Sequence, residues 1–296
     1  MSYNKSNAKK QEPDYSDLTL REELEARFKD AGYFTEEESS AQPQMYEWQG
    51  EGCDDCRQYN GRKFSLDSIP DTHPNCKCEL VADSNDNLPT IFAGEVQKER
   101  YEFLKKQEQF LLENMKQALL RSEGSKQYIY LDTKGFKTIG AGTKIDDKNT
   151  FMQINWQVNG RPATEAEKQQ AFEIFELLKQ KEKFGKEINA ERYEDVSNLR
   201  IDEREISRLL EEHLRQDLKK LKSGFPNFDN LPLPLKEVLL DIRYNTGSVR
   251  CSKWPNLYEA IEKHDTAWTA NEVNRKDIGK KRNDWAKEKI LSIRKW

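Results

Sequence analysis

Two groups of residues in this chain have the types and spacing that chemistry requires. The first is Glu123, Asp132 and Thr138. Breaking a glycosidic bond takes one carboxylic acid to protonate the leaving oxygen and a second carboxylate to activate water or attack the sugar. The two must sit in environments that keep one protonated and the other ionised. Glu123 stands where a helical pattern ends, Asp132 where a strand turns, and Thr138 on the returning strand, where it can hold a water against Asp132. A hairpin folded back on the helix end would set the carboxylates across one cleft. The second group is Cys53, Cys56, His73, Cys76 and Cys78. Tetrahedral zinc takes four such ligands, usually as two close pairs joined by a loop. Cys53 with Cys56 forms one pair. The other is His73 with Cys76, or Cys76 with Cys78, so five candidates compete for four places.

The elements that must position these groups follow from the hydrophobic pattern. Residues 94–122 read as a helix, with Phe103, Phe110, Leu111, Met115, Ala118 and Leu119 at helical spacing. Gly124 is placed as its C-terminal glycine. Residues 128–131 and 136–139 flank Asp132-Thr133-Lys134-Gly135 and read as a hairpin, and 151–158 reads as a further strand. Thr164 followed by Glu167 is a capping-box signature. Asp202 opens a second strong helix, with Ile206, Leu209, Leu210, Leu214, Leu218 and Leu221 as its stripe. After a break at 226–234, helices at 235–244, 257–261, 268–273 and 283–293 complete a helical lobe. A small β element among helices is an α+β arrangement. Ahead of it, residues 1–44 read as a polar, weakly structured leader with a short helix at 18–31. Residues 45–83 form the Cys/His-rich module, 84–93 a linker, and 94–296 the domain that carries the carboxylates.

The chain has 53 Asp and Glu among 296 residues, so a Glu–Asp pair alone says little. The local sequence says more. Glu123-Gly124, Tyr130-Leu131-Asp132-Thr133-Lys134-Gly135 and Thr138-Ile139-Gly140-Ala141-Gly142 together resemble the phage-type lysozyme family. Its pattern is Glu-Gly, an aspartate in a Tyr-x-Asp-Thr-x-Gly turn, then Thr-Ile-Gly-x-Gly. The resemblance continues through Ile201 to Leu210. Tyr244-Asn245-Thr246-Gly247 is similar to the family's Phe-Asn-x-Gly segment, and 254–282 is similar to its last helices, with an arginine at Arg275 or Arg282. It covers residues 112–296. The resemblance implies a mostly helical lysozyme-like domain with a small β-hairpin lobe. It also implies a muramidase that cleaves the β-1,4 bond between N-acetylmuramic acid and N-acetylglucosamine in peptidoglycan, without a cofactor for catalysis. Glu123 would be the general acid, and Asp132 with Thr138 would position and activate water. Tyr244 and Asn245 would contact sugar, or else pack a helix end into the core. The chain departs from the family twice. Thr143 stands where a histidine is usual, and the stretch 144–200 is longer than usual, which reshapes the cleft, binds a partner or is neutral.

The module from Trp48 through Cys53, Cys56, Gly61-Arg62-Lys63-Phe64 and 70–78 resembles a motif of phage minor head proteins, which implies a docking or structural unit. The clustering favours structural zinc over disulfides or free thiols. Metal would supply the folding free energy that so small and polar a unit lacks. His213 and His264 read as ordinary histidines without partners, and Cys251 as a buried or half-buried thiol.

The net charge is −4, acidic toward the beginning and basic toward the end. Glu51, Asp54 and Asp55 around Cys53 oppose phosphate, so nucleic acid is not an expected partner. No apolar run reaches the roughly 18–20 residues of a membrane span. Residues 1–14 lack the apolar core of a signal peptide. The expectation is a protein made in the cytoplasm that acts on the cell wall, in the periplasm, after release or delivery by another system. Its expected partners are peptidoglycan, a delivery or docking partner for the amino-terminal module and, for an antibacterial effector rather than a phage-type lysis enzyme, an immunity protein. The alternative is a non-enzymatic glycan-binding virion or adaptor protein with a zinc docking module. The intact Glu123, Asp132 and Thr138 set weighs against it.

Overall fold

The computed structural model describes Glu22, Leu24 and residues 45–50, 56–66, 68–72, 76–82, 90–182, 184, 189–225, 227–276, 278–294 and 296, with the backbone alone of Glu123. The helix expected at 18–31 lies outside them apart from Glu22 and Leu24. The chain divides into two compact units. One is Met1–Phe110 with Asn227–Lys236 and Ser292–Trp296; the other is Leu111–Pro226 with Glu237–Leu291. Sheets and helices occur in an α+β arrangement.

The first unit carries an antiparallel sheet in the order β2-β1-β3-β4, built from β1 (Tyr46–Gln49), β2 (Lys63–Phe64), β3 (Glu79–Ala82) and β4 (Ile91–Phe92). The register sets Tyr46 against Ala82 and Trp48 against Leu80. Strand alternation therefore turns these four onto one face, and all are buried. β4 comes from the stretch read as a linker and sets Ile91 against Leu80. Helix α1 (Ala93–Glu123) follows at once, close to the expected 94–122. Its first two amides donate to the carbonyls of Cys78 (2.9 Å) and Cys76 (3.2 Å).

In the second unit, β5 (Lys126–Leu131), β6 (Lys137–Gly140) and β7 (Thr143–Lys144) form an antiparallel sheet in that order. Next come α2 (Lys148–Gln153), β8 (Gln157–Val158), β9 (Arg161–Pro162) and α3 (Glu165–Lys181). The strand expected over 151–158 is thus split: its first three residues end α2 and only Gln157–Val158 are strand. In α2, Asp147 is the cap, accepting the Thr150 amide at 2.7 Å, and this cap outweighs an apolar run that fits either period. Further along lie α4 (Glu203–Gly224), α5 (Leu233–Thr246), α6 (Pro255–Glu262), α7 (Thr266–Glu272) and α8 (Lys280–Leu291). The expected caps form: Thr164 and Glu167 make a reciprocal capping box, and Asp202 accepts the Glu205 amide at 2.8 Å. The whole expected stripe of α4 is buried.

The long stretch 144–200 contributes to the β-lobe core. Ile129, Leu131 and Ile139 come from the sheet, and Ile206 and Leu209 from α4. Phe151, Trp156, Phe175 and Tyr193, the four buried aromatic residues of that core, all come from 144–200. Burying each such ring contributes about 1.5–3 kcal/mol. The stretch is therefore part of the lobe's own core. Among the described residues no helix is long and apolar enough to cross a membrane.

Candidate functional sites

Helix α1 stops at Glu123 because Gly124 takes a φ of 72°, the left-handed conformation that glycine adopts without a Cβ clash. Strand β5 begins two residues later. The carboxylate expected to act as an acid therefore stands at the joint between helix and sheet; its side chain lies outside the described residues.

The turn from β5 to β6 is closed by the Gly135 amide, which donates to Asp132 O at 2.8 Å. Gly135 has a φ of 82°, and a Cβ there would stand 2.7 Å from the Phe184 ring. Asp132 Oδ1 accepts the amides of Lys134 at 2.9 Å and Phe136 at 2.8 Å. The Phe136 carbonyl accepts the Thr138 hydroxyl at 3.0 Å and the Asp132 amide at 2.9 Å. Asp132 and Thr138 thus share an anchor, the backbone of Phe136. With its hydrogen engaged there, Thr138 Oγ1 is left as an acceptor. Asp132 Oδ2 lies outside this net, with Lys144 Nζ at 4.0 Å.

Behind the sheet lies a set of charges that sequence reasoning missed. Lys137 precedes Thr138 and faces the other way by strand alternation. Its side chain is 0% exposed, with Nζ 3.1 Å from Asp146 and also paired with Glu176. The ammonium stands 4.4 Å from the centroid of Phe172, and Lys179 joins Asp146 at 2.6 Å. Burial pushes the Asp146 carboxyl up, but Lys179 and Lys137 together hold it below the ordinary carboxylate value. Glu176 and Lys179 belong to α3, so the stretch 144–200 is ion-paired to the strand that carries Thr138. The one sequence signal was the alternation that puts Lys137 on the same face as Ile139.

Tyr244 donates its hydroxyl to Ala141 O at 2.8 Å, tying α5 to the turn between β6 and β7, and its ring lies 5.0 Å from that of His213. Asn245 donates to Asp241 O at 2.7 Å. Asp241 is buried and takes both arginines expected near the end of the domain, Arg275 at 2.7 Å and Arg282 at 2.5 Å. Both polar groups expected to contact sugar are thus engaged within the unit. His213 has a partner after all, Asp217 at 3.3 Å. Burial pushes Asp217 up, and His213 with Arg243 brings it below its ordinary value. Cys251 is exposed rather than buried, because it falls in the turn ahead of α6.

In the first unit, the sulfurs of Cys56, Cys76 and Cys78 lie within 4.8 Å of one another, all buried, with Cys56 Sγ and Cys76 Sγ 3.6 Å apart. A tetrahedral zinc with Zn–S bonds of about 2.3 Å sets its sulfurs about 3.8 Å apart, so the three thiols fit one metal ion. Cys76 and Cys78 both belong to the group; Cys53 and His73 lie outside the described residues. Burial pushes the Cys78 thiol up and Cys76 adds to this, while Cys56 and the Trp48 indole N–H pull it down. Among the described residues, Trp48 Nε1 is buried with no hydrogen bond of ordinary geometry. A cation would reverse the penalty on the thiolates. The amino terminus of α1, donating to the Cys76 and Cys78 carbonyls, adds a favourable dipole.

No family model matches the chain, and none of the curated proteins does. The residues and their geometry therefore carry the functional reading.

Proposed function

We propose that this chain hydrolyses the β-1,4 bond between N-acetylmuramic acid and N-acetylglucosamine in bacterial peptidoglycan, as the phage-type lysozymes that its motifs resemble do. The observation that carries this reading is the shared Phe136 anchor of Asp132 and Thr138, in a hairpin that directly follows the helix ending at Glu123. Glu123 protonates the leaving oxygen. Asp132, its Oδ1 fixed by two amides, uses Oδ2 to take a proton from water. Thr138, left as an acceptor, receives a hydrogen of that water and fixes its direction. The enzyme serves phage-type lysis or acts as a delivered antibacterial effector, with the amino-terminal unit as the docking element.

That unit is proposed to hold a structural zinc, with Cys56, Cys76 and Cys78 as ligands and Cys53 or His73 as the fourth. Bound there, zinc supplies a cross-link between the loop at Cys56 and the start of β3.

The test is Glu123→Gln in the full chain, assayed by turbidity loss and released reducing ends on purified cell walls. An amide cannot donate the proton, so activity should fall by about a hundredfold or more while circular dichroism stays unchanged. Wild-type-like activity would remove Glu123 from the mechanism. A wild-type chain that binds walls yet releases no reducing ends would favour the glycan-binding reading instead.

A further inference from the structure

The β5-β6-β7 register places Tyr130 opposite Thr138 and Thr138 opposite Lys144. Directly opposed residues share a face of the sheet, so Lys144 stands on the Thr138 face, and Lys137 on the other. Its side chain is 50% exposed, against 16% for Asp132. The ammonium is held from two sides, by Asp132 Oδ2 at 4.0 Å and by the Phe136 ring, whose centroid is 4.6 Å away. Neither takes a hydrogen bond from it. A separation of 4.0 Å is beyond hydrogen-bond reach, and the ring attracts the charge through its face. Three other lysines of this lobe differ in donating hydrogen bonds, although Lys179 also stands 5.3 Å from the Phe136 centroid. Lys137 and Lys179 donate to Asp146 at 3.1 Å and 2.6 Å, and Lys168 donates to Met152 O at 2.8 Å. Among the described residues, Lys144 is thus a pinned cation with its donors open, in the same row as Thr138 and beside Asp132.

We propose that Lys144 is a substrate-binding residue that takes a carboxylate of the peptide-substituted muramyl strand, so that the site reads the anionic character of peptidoglycan as well as its sugar backbone. This rests on the hydrolase reading above. An ammonium and a carboxylate form a charge-assisted hydrogen bond. Stem peptides bring carboxylates to the muramyl residues beside which Asp132 must act. A Lys144 that only balanced the charge of Asp132 would serve neutral and anionic strands alike.

The experiment compares soluble peptidoglycan fragments with the same fragments after amidation of their carboxyl groups. KM and kcat are measured for the wild-type chain, Lys144→Gln and Lys144→Arg. Amidation should raise the wild-type KM about tenfold, equivalent to about 1.4 kcal/mol, and leave kcat within about twofold. In Lys144→Gln the KM for native fragments should already be raised and amidation should add nothing, whereas Lys144→Arg should keep the wild-type discrimination. If Lys144→Gln discriminates as the wild type does, or loses kcat equally on both substrates, Lys144 does not bind the carboxylate and the hydrolase reading stands. If the wild-type chain cleaves neither substrate, the hydrolase reading fails. Calorimetric binding of native and amidated fragments to the wild type and to Lys144→Gln then decides the proposal in the same way.

Discussion

Replacing Lys137 tests whether the stretch 144–200 holds the strand of Thr138 in place. Removing one partner of a fully buried ion pair costs about 3–5 kcal/mol when the other charge is stranded. Here the loss is relieved on both sides. The Glu176 side chain is 41% exposed and can rehydrate, and Asp146 keeps Lys179 at 2.6 Å. The charge-pair loss in Lys137→Met is therefore set at about 1–2 kcal/mol, since methionine retains most of the stem's packing on Phe172. Lys137→Ala also gives up about three buried methylenes at about 0.8 kcal/mol each, for a total of about 3–4 kcal/mol. The readout is native-state hydrogen exchange at the amides of Thr138, Ile139 and Ile145; the last of these donates to Lys137 O at 2.8 Å. A double-mutant cycle with Glu176→Gln should give a coupling of about 1 kcal/mol. Wild-type exchange in Lys137→Met, together with strictly additive effects in the cycle, would refute the idea that α3 clamps this strand.

Two further outcomes follow from the metal-like cluster and from a buried carboxylate. The purified chain should carry about one zinc, and a chelator should expose the β1 and β3 amides to exchange; no metal in the wild-type chain would refute the site. Gly50→Ala should release zinc to a competing chelator sooner, because the new Cβ would stand 3.1 Å from Cα, Cβ and Sγ of Cys78; unchanged release would show that the loop yields freely. The Arg208 guanidinium, opposed by burial and aided by Asn155, holds the Glu205 carboxyl at about 2, below its ordinary 4.5. A depressed folded-state value gives stability that is present above pH 4.5 and is lost as pH falls through about 2. Arg208 is half exposed, so the contribution is discounted to about 1–2 kcal/mol. Glu205→Gln should flatten acid unfolding in that window, and an unchanged acid slope would count against the pair.

Local chemistry made much of this fold legible. Gly124, the Thr164–Glu167 box and Asp202 mark helix ends through groups within three residues of one another, and the α4 stripe needs only the helical period. The motif also marked Asp132 and Thr138. Their common anchor was hidden, because a backbone N–H and C=O leave no trace in residue type. The stretch 151–158 was misread because Phe151, Ile154, Trp156 and Val158 read as one strand, whereas Phe151 falls in the capped helix α2 and only Val158 in a strand. The burial of Lys137 was invisible for a different reason: two of the charges around it, Glu176 and Lys179, are brought there by α3. Spacing alone also left open whether His73 or Cys78 joins Cys76; the folded chain brings Cys78 to Cys56 and Cys76.

The Phe136 anchor also bears on how precision survives thermal motion. Asp132 hangs on the N–H of that residue and Thr138 on its C=O. A swing of the hairpin tip therefore carries both groups the same way. Such a motion is common-mode, and the separation between the carboxylate and the hydroxyl should fluctuate less than the position of either. The pair shares one reference residue, so a motion of the hairpin tip that moves Phe136 moves both groups with it. The same arrangement concentrates the risk of failure. The Phe136 side chain can change while both bonds persist, but Phe136→Pro, which removes the N–H, would leave Asp132 Oδ1 with the Lys134 amide alone and tilt the carbonyl that holds Thr138.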